Sequence, residues 1–271
     1  TRERTAFGQP IASFGMLRDR LARMASLLYA VESTVYRVAS VMERALTEAR
    51  GDASALAGTE RLAVLRDFAL ECALAKSFAS ESLGVFTDDM LQLYGGYGFS
   101  EEYPAAKAFR DARVTRLYEG TTEICRVTVM QRLLAQCGES ASTGAANAPC
   151  GVAAQKELFR ALLQRHLEDN GGETKALLAE QTLSGPFAAA FERIYAAESV
   201  LLRAGEAPSS QRDLAAYFVA TGTSANLACM HQISGSLSNC AAIGAQGYEA
   251  NFPAVDVVRL RERVVEALRR S

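Results

Sequence analysis

Apolar residues recur at steps of three and four almost from end to end of this chain. Phe14, Leu17, Leu21, Met24, Leu28, Val31, Val35 and Val38 form one such stripe. That spacing lines one face of an α-helix. It predicts a helix over about 11–49 facing a partner helix, with Arg18, Asp19, Arg20, Arg23, Glu32 and Arg37 off the stripe. Gly51-Asp52 should end it, and the Gly/Ala/Ser/Thr-rich stretch 50–59 reads as a loop. A second long helix is expected over about 60–93. Its Ala69, Ala73, Ala75, Ala79 and Ser80 allow close approach, and Gly95, Gly96 and Gly98 break it. A shorter helix follows Pro104, since proline suits a first helical turn. A fourth runs from about Thr121 to Leu134, with Ile124, Val127, Met130 and Leu134 on one side. No alternating strand pattern of any length and no internal repeat is present. The expected fold is all-α: an antiparallel four-helix bundle followed by a second helical region.

Residues 137–151, CGESASTGAANAPCG, are small and polar and carry no periodicity. They divide the chain into a bundle over 1–136, a linker, and a helical extension over 152–271. Helices are expected there near 152–169, 174–183, 186–204, 210–231 and 254–270. The spacing of Ser210 and Asp213 resembles a capping box, with Asp in place of Glu or Gln. Residues 214–248 contain no Asp, Glu, Lys or Arg. They read either as a buried helix and loop at a core or subunit interface, or as a membrane-facing surface. Polar residues interrupt the stretch too often for a spanning helix.

Composition narrows the function classes. Lys plus Arg is 29 and Asp plus Glu 31, a net charge of −2, which argues against a nucleic-acid binder. Hydrophobic residues are 49% and charged residues 22%, which excludes wholesale disorder. The six cysteines include no CxxC and read as reduced thiols. His166 and His231, the two histidines, stand far apart without ligand-like neighbours, so no metal site is expected. The opening TRERTAFG has no Met and no signal peptide, as expected of a processed form or of a longer protein whose front is missing.

Four stretches could carry chemistry. In Tyr118-Glu119-Gly120-Thr121-Thr122-Glu123-Ile124 a carboxylate precedes a glycine at the start of a helix. Free N–H groups there can hold an anion, a cofactor oxygen or a substrate carbonyl, or Glu119 can simply be a helix N-terminal charge partner. Gly95-Gly96-Tyr97-Gly98-Phe99 lets backbone approach a ligand, or is a helix–helix turn. It lacks the GxGxxG spacing and does not follow a strand. In Arg2-Glu3-Arg4-Thr5-Ala6-Phe7-Gly8 an arginine could fork onto phosphate oxygens beside an aromatic ring, or the charges are solvated. Arg110-Asp111-Ala112-Arg113 reads as a buried Asp between arginines that ties the short helix to its neighbours.

Taken together and in order, these stretches carry a resemblance. The run QLYGGYGFSEEYPAAKAFRDARVTRLYEGTTEICRVTVMQRLL closely resembles the C-terminal signature of acyl-CoA dehydrogenases. RTAFGQPIASFGMLRDRLARMA looks like the start of the same family's C-terminal helical domain. The resemblance covers about residues 1–136. It implies a flavoprotein, using FAD, that makes an α,β double bond in an acyl-CoA thioester during fatty-acid β-oxidation. Family members also have an N-terminal helical domain and a β-barrel domain, which this chain lacks, so it is expected to hold part of an active site and to be inactive alone.

The resemblance also assigns roles. The glutamate of the family's YEGT motif, the catalytic base, matches Glu119. Some relatives carry the base on the first bundle helix instead. Hydrogen bonds to the thioester carbonyl, from the Glu119 N–H and the flavin ribityl hydroxyl, stabilise the developing enolate. Burial against flavin and acyl chain strengthens the carboxylate as a base, while the β-hydride leaves to flavin N5. This requires Glu119 to lie beside a crevice, neither in open water nor locked onto an internal arginine. Cofactor contacts are implied for Arg4 (to the pyrophosphate, in a neighbouring subunit) and Phe7. They are also implied for Gln92, Leu93, Tyr94, Gly95 and Gly96 (adenine end), and for Thr121 and Glu123. Tyr118 and Gly120 fall by the substrate. Gly15 stands where many members have Gln. The extension resembles in length that of the very-long-chain branch and of its relative that assists respiratory complex I assembly. That implies a long-chain acyl-CoA, a homodimer or homotetramer, an electron-transfer flavoprotein as acceptor, and peripheral contact with a membrane. The location would be the mitochondrial matrix or inner membrane, or the cytoplasm in a bacterium. The alternative is a non-catalytic helical assembly module.

Overall fold

The computed structural model describes residues 4–50, 58–139, 150–205, 207–235 and 256–270. The chain enters through a two-residue hairpin, β1 (Thr5–Ala6) against β2 (Gln9–Pro10), in antiparallel register. Phe7 and Gly8 close it, both at positive φ, as the tightest hairpin turns require. A single 3₁₀ turn (Ile11–Ser13) leads into α1 (Gly15–Arg50). The stretch expected to be one second helix is two, α2 (Gly58–Asp67) and α3 (Ala69–Tyr94), broken at Phe68 where ψ turns to 15°. Of the expected loop, Arg50 belongs to α1 and Gly58 and Thr59 to α2, and 51–57, with Gly51-Asp52, lie outside the described residues. Then come α4 (Gly96–Phe99), α5 (Pro104–Val114), with Pro104 in its first turn, and α6 (Thr122–Glu139).

The second region holds α7 (Cys150–Asp169), α8 (Thr174–Ala179), α9 (Gln181–Ala204), α10 (Ser209–Gly235) and α11 (Val257–Arg270). The expected linker is shorter than read, since 137–139 belong to α6 and 150–151 to α7. The rest of it lies outside the described residues. The capping box does not form. Ser210 is inside α10, the Pro208 carbonyl takes the first N–H groups, and Asp213 pairs with Arg263 of α11 at 2.7 Å. No described helix is long and apolar enough to cross a membrane.

In the first region α3 packs against α1, α5 and α6. In the second, α9 and α10 pack together and both lean on α1, while α9 also meets α6 and α7. One hydrophobic core therefore runs through both regions. It joins Tyr29, Leu74, Phe78 and Met130 to Leu162, Phe187, Val200 and Phe218. Phe78 and Phe218 meet edge to face across it at 6.2 Å. The described part of the uncharged stretch puts one face of α10 into the core, with Ala215, Phe218, Met230 and Ile233 buried, while Thr221, Ser224, Ala225, Ala228 and His231 are exposed; its part beyond Gly235 lies outside the described residues.

The α1 stripe holds at Met24 and Val38, which are buried, and is offset elsewhere. Leu28 and Val35 are exposed, whereas Ala22, Ser26, Tyr29, Ala30, Ser33 and Thr34 are buried. Small and hydroxyl side chains allow close contact here because Ser33 and Thr34 return their hydroxyls to the carbonyls of Tyr29 and Ala30, so that neither hydroxyl is buried unpaired. The polar flank of α1 is covered as well. Arg18 meets Glu262, Asp19 accepts from Tyr217 at 2.9 Å, and Arg203 reaches Glu32 at 3.0 Å.

Candidate active site

The segment 115–121 carries the chain from α5 to α6 and is fastened to α3. Arg116 lies across α3 and donates to the carbonyls of Ser80 (3.4 Å) and Glu81 (3.1 Å). Glycine at 84 leaves it room, since a Cβ there would stand 2.0 Å from Arg116 Nη2. Lys76 Nζ donates to the Gly120 carbonyl, and Cys125 Sγ lies 3.8 Å from the same oxygen. With both ends tied down, Leu117, Tyr118 and Glu119 face outward.

Glu119 occupies the tip with φ 54°, followed by Gly120 at 95°. Left-handed backbone is uncommon for a residue with a side chain. Among the described residues the other non-glycine case is Phe7. The Glu119 side chain is exposed, and neither it nor its N–H is hydrogen-bonded to the described residues. Thr121 caps α6, its Oγ1 accepting from the Ile124 N–H at 3.4 Å, so the helix N-terminus opens directly behind the carboxylate. The Thr121 hydroxyl and local backbone N–H groups hold the Glu123 carboxyl below the usual carboxylate range. Thr122 Oγ1 is buried without a partner among the described residues.

A second group gathers at the other end of α3. Arg4 donates to the carbonyls of Leu93 (3.2 Å) and Tyr94, a cation on carbonyls that a helix end leaves open. Its guanidinium lies 5.8 Å from the centre of the Tyr97 ring. Gly95 has φ 59°, and a Cβ there would come within 2.8 Å of Arg4. Gln92 and Gly96 are exposed beside them, and Leu93 is buried. Phe7 is 97% exposed and touches Phe14 edge-on at 6.2 Å. Arg4, Leu93, Tyr94 and Gly95 thus meet within one chain.

Two expectations fail on this chain. Asp111 is not a buried link. It is 63% exposed and pairs with Lys107 one turn away on its own helix, while Arg110 reaches Glu101 at 2.9 Å. The buried acid between two arginines is Asp89 of α3, fully enclosed and held by Arg20 and Arg23 of α1. The second is the crevice. The carboxylate of Glu119 is not locked onto an arginine, but within the described residues it faces solvent. A cleft of about 1020 Å3 lies elsewhere, between α1 and α9 beside Tyr36, Arg37, Leu202 and Arg203. A smaller one adjoins Gly15, Asp19, Arg20 and Arg261. Among the described residues no cluster of three or more His, Cys, Asp or Glu is placed to hold a metal ion. Lys76 and Arg116, which position the loop, carry no local sequence signal.

The acyl-CoA dehydrogenase C-terminal domain model matches residues 1–134. A probable acyl-CoA dehydrogenase of Bacillus subtilis is 38% identical over 132 residues, 49% of this chain and 22% of that protein. The mitochondrial very-long-chain specific acyl-CoA dehydrogenase of Bos taurus is 36% identical over 126 residues, 46% of this chain and 16% of that protein. The matched part of the chain therefore spans less than a quarter of the length of these curated relatives. A crystal structure of an acyl-CoA dehydrogenase from Bacillus anthracis, complexed with FAD, superposes with a TM-score of 0.85 at 25% identity, covering 98% of this chain and 50% of that one. The structural likeness thus continues through α7–α11, where the sequence matches stop. Residues 1–134 of this chain are a C-terminal domain of the acyl-CoA dehydrogenase family.

Proposed function

We propose that the chain is the C-terminal part of an FAD-dependent acyl-CoA dehydrogenase in which Glu119 removes the α-proton of the substrate. One observation carries this reading: a carboxylate with no partner among the described residues is held out on left-handed backbone at the mouth of α6. Backbone strain of this kind is retained where surrounding structure over-determines it, and it gathers at functional sites. Lys76 and Arg116 supply that determination here.

The residues present suit a flavin dinucleotide. Phe7, Tyr97 and Phe99 expose rings on which a planar group can pack. Arg4 offers a guanidinium beside the Tyr97 ring, and Thr121 and Glu123 stand at the first turn of α6. When bound, the flavin supplies the two-electron acceptor for the hydride from the β-carbon. Glu119 takes the proton from the α-carbon, and its free N–H donates to the thioester carbonyl, where negative charge develops. Substrate and the remaining parts of the protein form the wall that this chain does not provide. We assign a long-chain substrate because very-long-chain relatives are among the matches. An electron-transfer flavoprotein acceptor, a homo-oligomer and peripheral membrane contact belong to the same proposal. So does a mitochondrial or bacterial cytoplasmic location.

The test is anaerobic addition of palmitoyl-CoA to the flavin-loaded protein that contains this chain. The flavin absorbance should bleach, and Glu119→Gln should slow bleaching by about a thousandfold, the scale of a lost general base, with flavin still bound. Bleaching at the parent rate in the Gln variant overturns the assignment.

A further inference from the structure

We infer that Glu192, in the second helical region, is a positioning residue for the Glu119 loop; the inference rests on the catalytic reading of that loop and extends it. Glu192 sits on α9 and is 3% exposed. One carboxylate oxygen accepts from Ser77 Oγ of α3. The other lies 3.4 Å from Arg126 Nη2 of α6, and that nitrogen also reaches Glu81 of α3 at 2.9 Å. A single buried carboxylate therefore joins three helices.

The joint lies where the loop is anchored. Ser77 is next to Lys76, which holds the Gly120 carbonyl. Glu81 supplies both a carboxylate to Arg126 and a backbone carbonyl to Arg116. Arg126 is one turn into α6, beside Cys125, whose thiol faces Gly120. The α3 stretch from Lys76 to Gly84 is the base of the loop, and Glu192 pins that stretch to α6 from below.

A buried charge cannot lose its partner without the surroundings rearranging. Without Glu192, Arg126 swings to Glu81 alone and the first turns of α6 shift, carrying Gly120 and Glu119 with them. Packing alone would hold the helices together without fixing this register. On this view the second helical region is part of the active-site framework.

The test uses the flavin-loaded protein containing this chain, with Glu192→Gln, Glu192→Asp and Ser77→Ala. The readout is alkylation of Cys125 by iodoacetamide under native conditions, followed by peptide mass spectrometry. Cys229, on α10, serves as internal reference. Glu192→Gln should raise the Cys125 rate by about tenfold, as a local opening does, with the Cys229 rate and helicity unchanged. It should lower kcat by about tenfold while leaving KM near the parent value, the pattern of a displaced group rather than of lost binding. Glu192→Asp should restore part of both. Ser77→Ala, which strands no charge, should raise the Cys125 rate by about threefold and serves if the Glu192 variants do not fold. An unchanged Cys125 rate, or Cys125 and Cys229 rising together, overturns the inference. Alkylation does not depend on the chemistry, so active Glu119→Gln would remove the catalytic reading and leave the bracing of the loop standing.

Discussion

Glu119 and Phe7 share an unusual backbone, and for Glu119 its energetic consequence can be measured. Left-handed φ costs a residue with a Cβ about 1–2 kcal/mol. Glycine escapes that cost but loses about 0.5–1 kcal/mol more chain entropy on folding. The Glu119 side chain forms no bond to the described residues, so removing it forfeits nothing. Glu119→Gly should therefore leave the folded chain as stable or more stable by up to about 1 kcal/mol in urea unfolding, while turnover is lost. A variant destabilised by that much would mean that the side chain holds the loop, contrary to a residue retained for chemistry at the expense of stability. Glu119, Arg4 and the glycines around Tyr97 were legible in sequence because each belongs to a short contiguous motif. The supports were not. Lys76 is 44 residues from the carbonyl it holds and Glu192 is 66 from Arg126. Neither stands in a pattern that distinguishes it from a solvated surface charge.

At the scale of elements, the α1–α3 joint depends on Asp89. Its carboxylate is fully enclosed, Arg20 and Arg23 close over it from α1, and the hydrogen bond that Arg23 donates to Asp89 leads in raising the Arg23 guanidinium above its ordinary range. Removing one partner of such a pair leaves buried charge unbalanced, at a cost of roughly 3 kcal/mol, the low end of the range because the arginines keep some contact with water. Asp89→Asn should lower stability by that amount in urea denaturation. Asp111→Asn, on the exposed Lys107 pair, should change it by no more than about 0.5 kcal/mol. Equal effects would refute the distinction. Charge spacing along the chain points to Asp111 because its arginines are sequence neighbours, whereas those of Asp89 come from another helix. Helix ends written in glycine and proline, at Gly95 and Pro104, were readable for the same local reason. The break at Phe68 has neither residue and is set by how α3 packs. The buried side of α1 was misread because α1 is covered on two flanks, and a single-stripe pattern cannot register the second.

For the whole molecule, a core continuous from α1 to α10 couples the stability of both regions to groups buried in either. His166 of α7 is the clearest case. It is 4% exposed, packs near the Phe187 ring, has Nδ1 unpartnered among the described residues and meets Asn170 through Nε2. Burial pushes its pKa below the ordinary value, with Asp169 and Glu180 pulling weakly the other way. Above about pH 6.5 the imidazole is neutral in folded and unfolded chains alike. Below that, the unfolded chain binds a proton that the folded one refuses, so stability falls with pH until the lowered folded pKa is reached. From pH 7.5 to 5.5 this one group can remove up to about 1.4 kcal/mol. Glu71 and Glu192, whose carboxyls burial raises, act in the opposite sense, being destabilised as charge appears on them with rising pH. They are common to parent and variant and cancel in the difference. His166→Gln should therefore flatten the fall in stability between pH 7.5 and 5.5 relative to the parent chain, read as Tm or as the urea midpoint across that range. Parallel curves would show that the folded imidazole takes up its proton as readily as the free one, and that the core opens to water at α7.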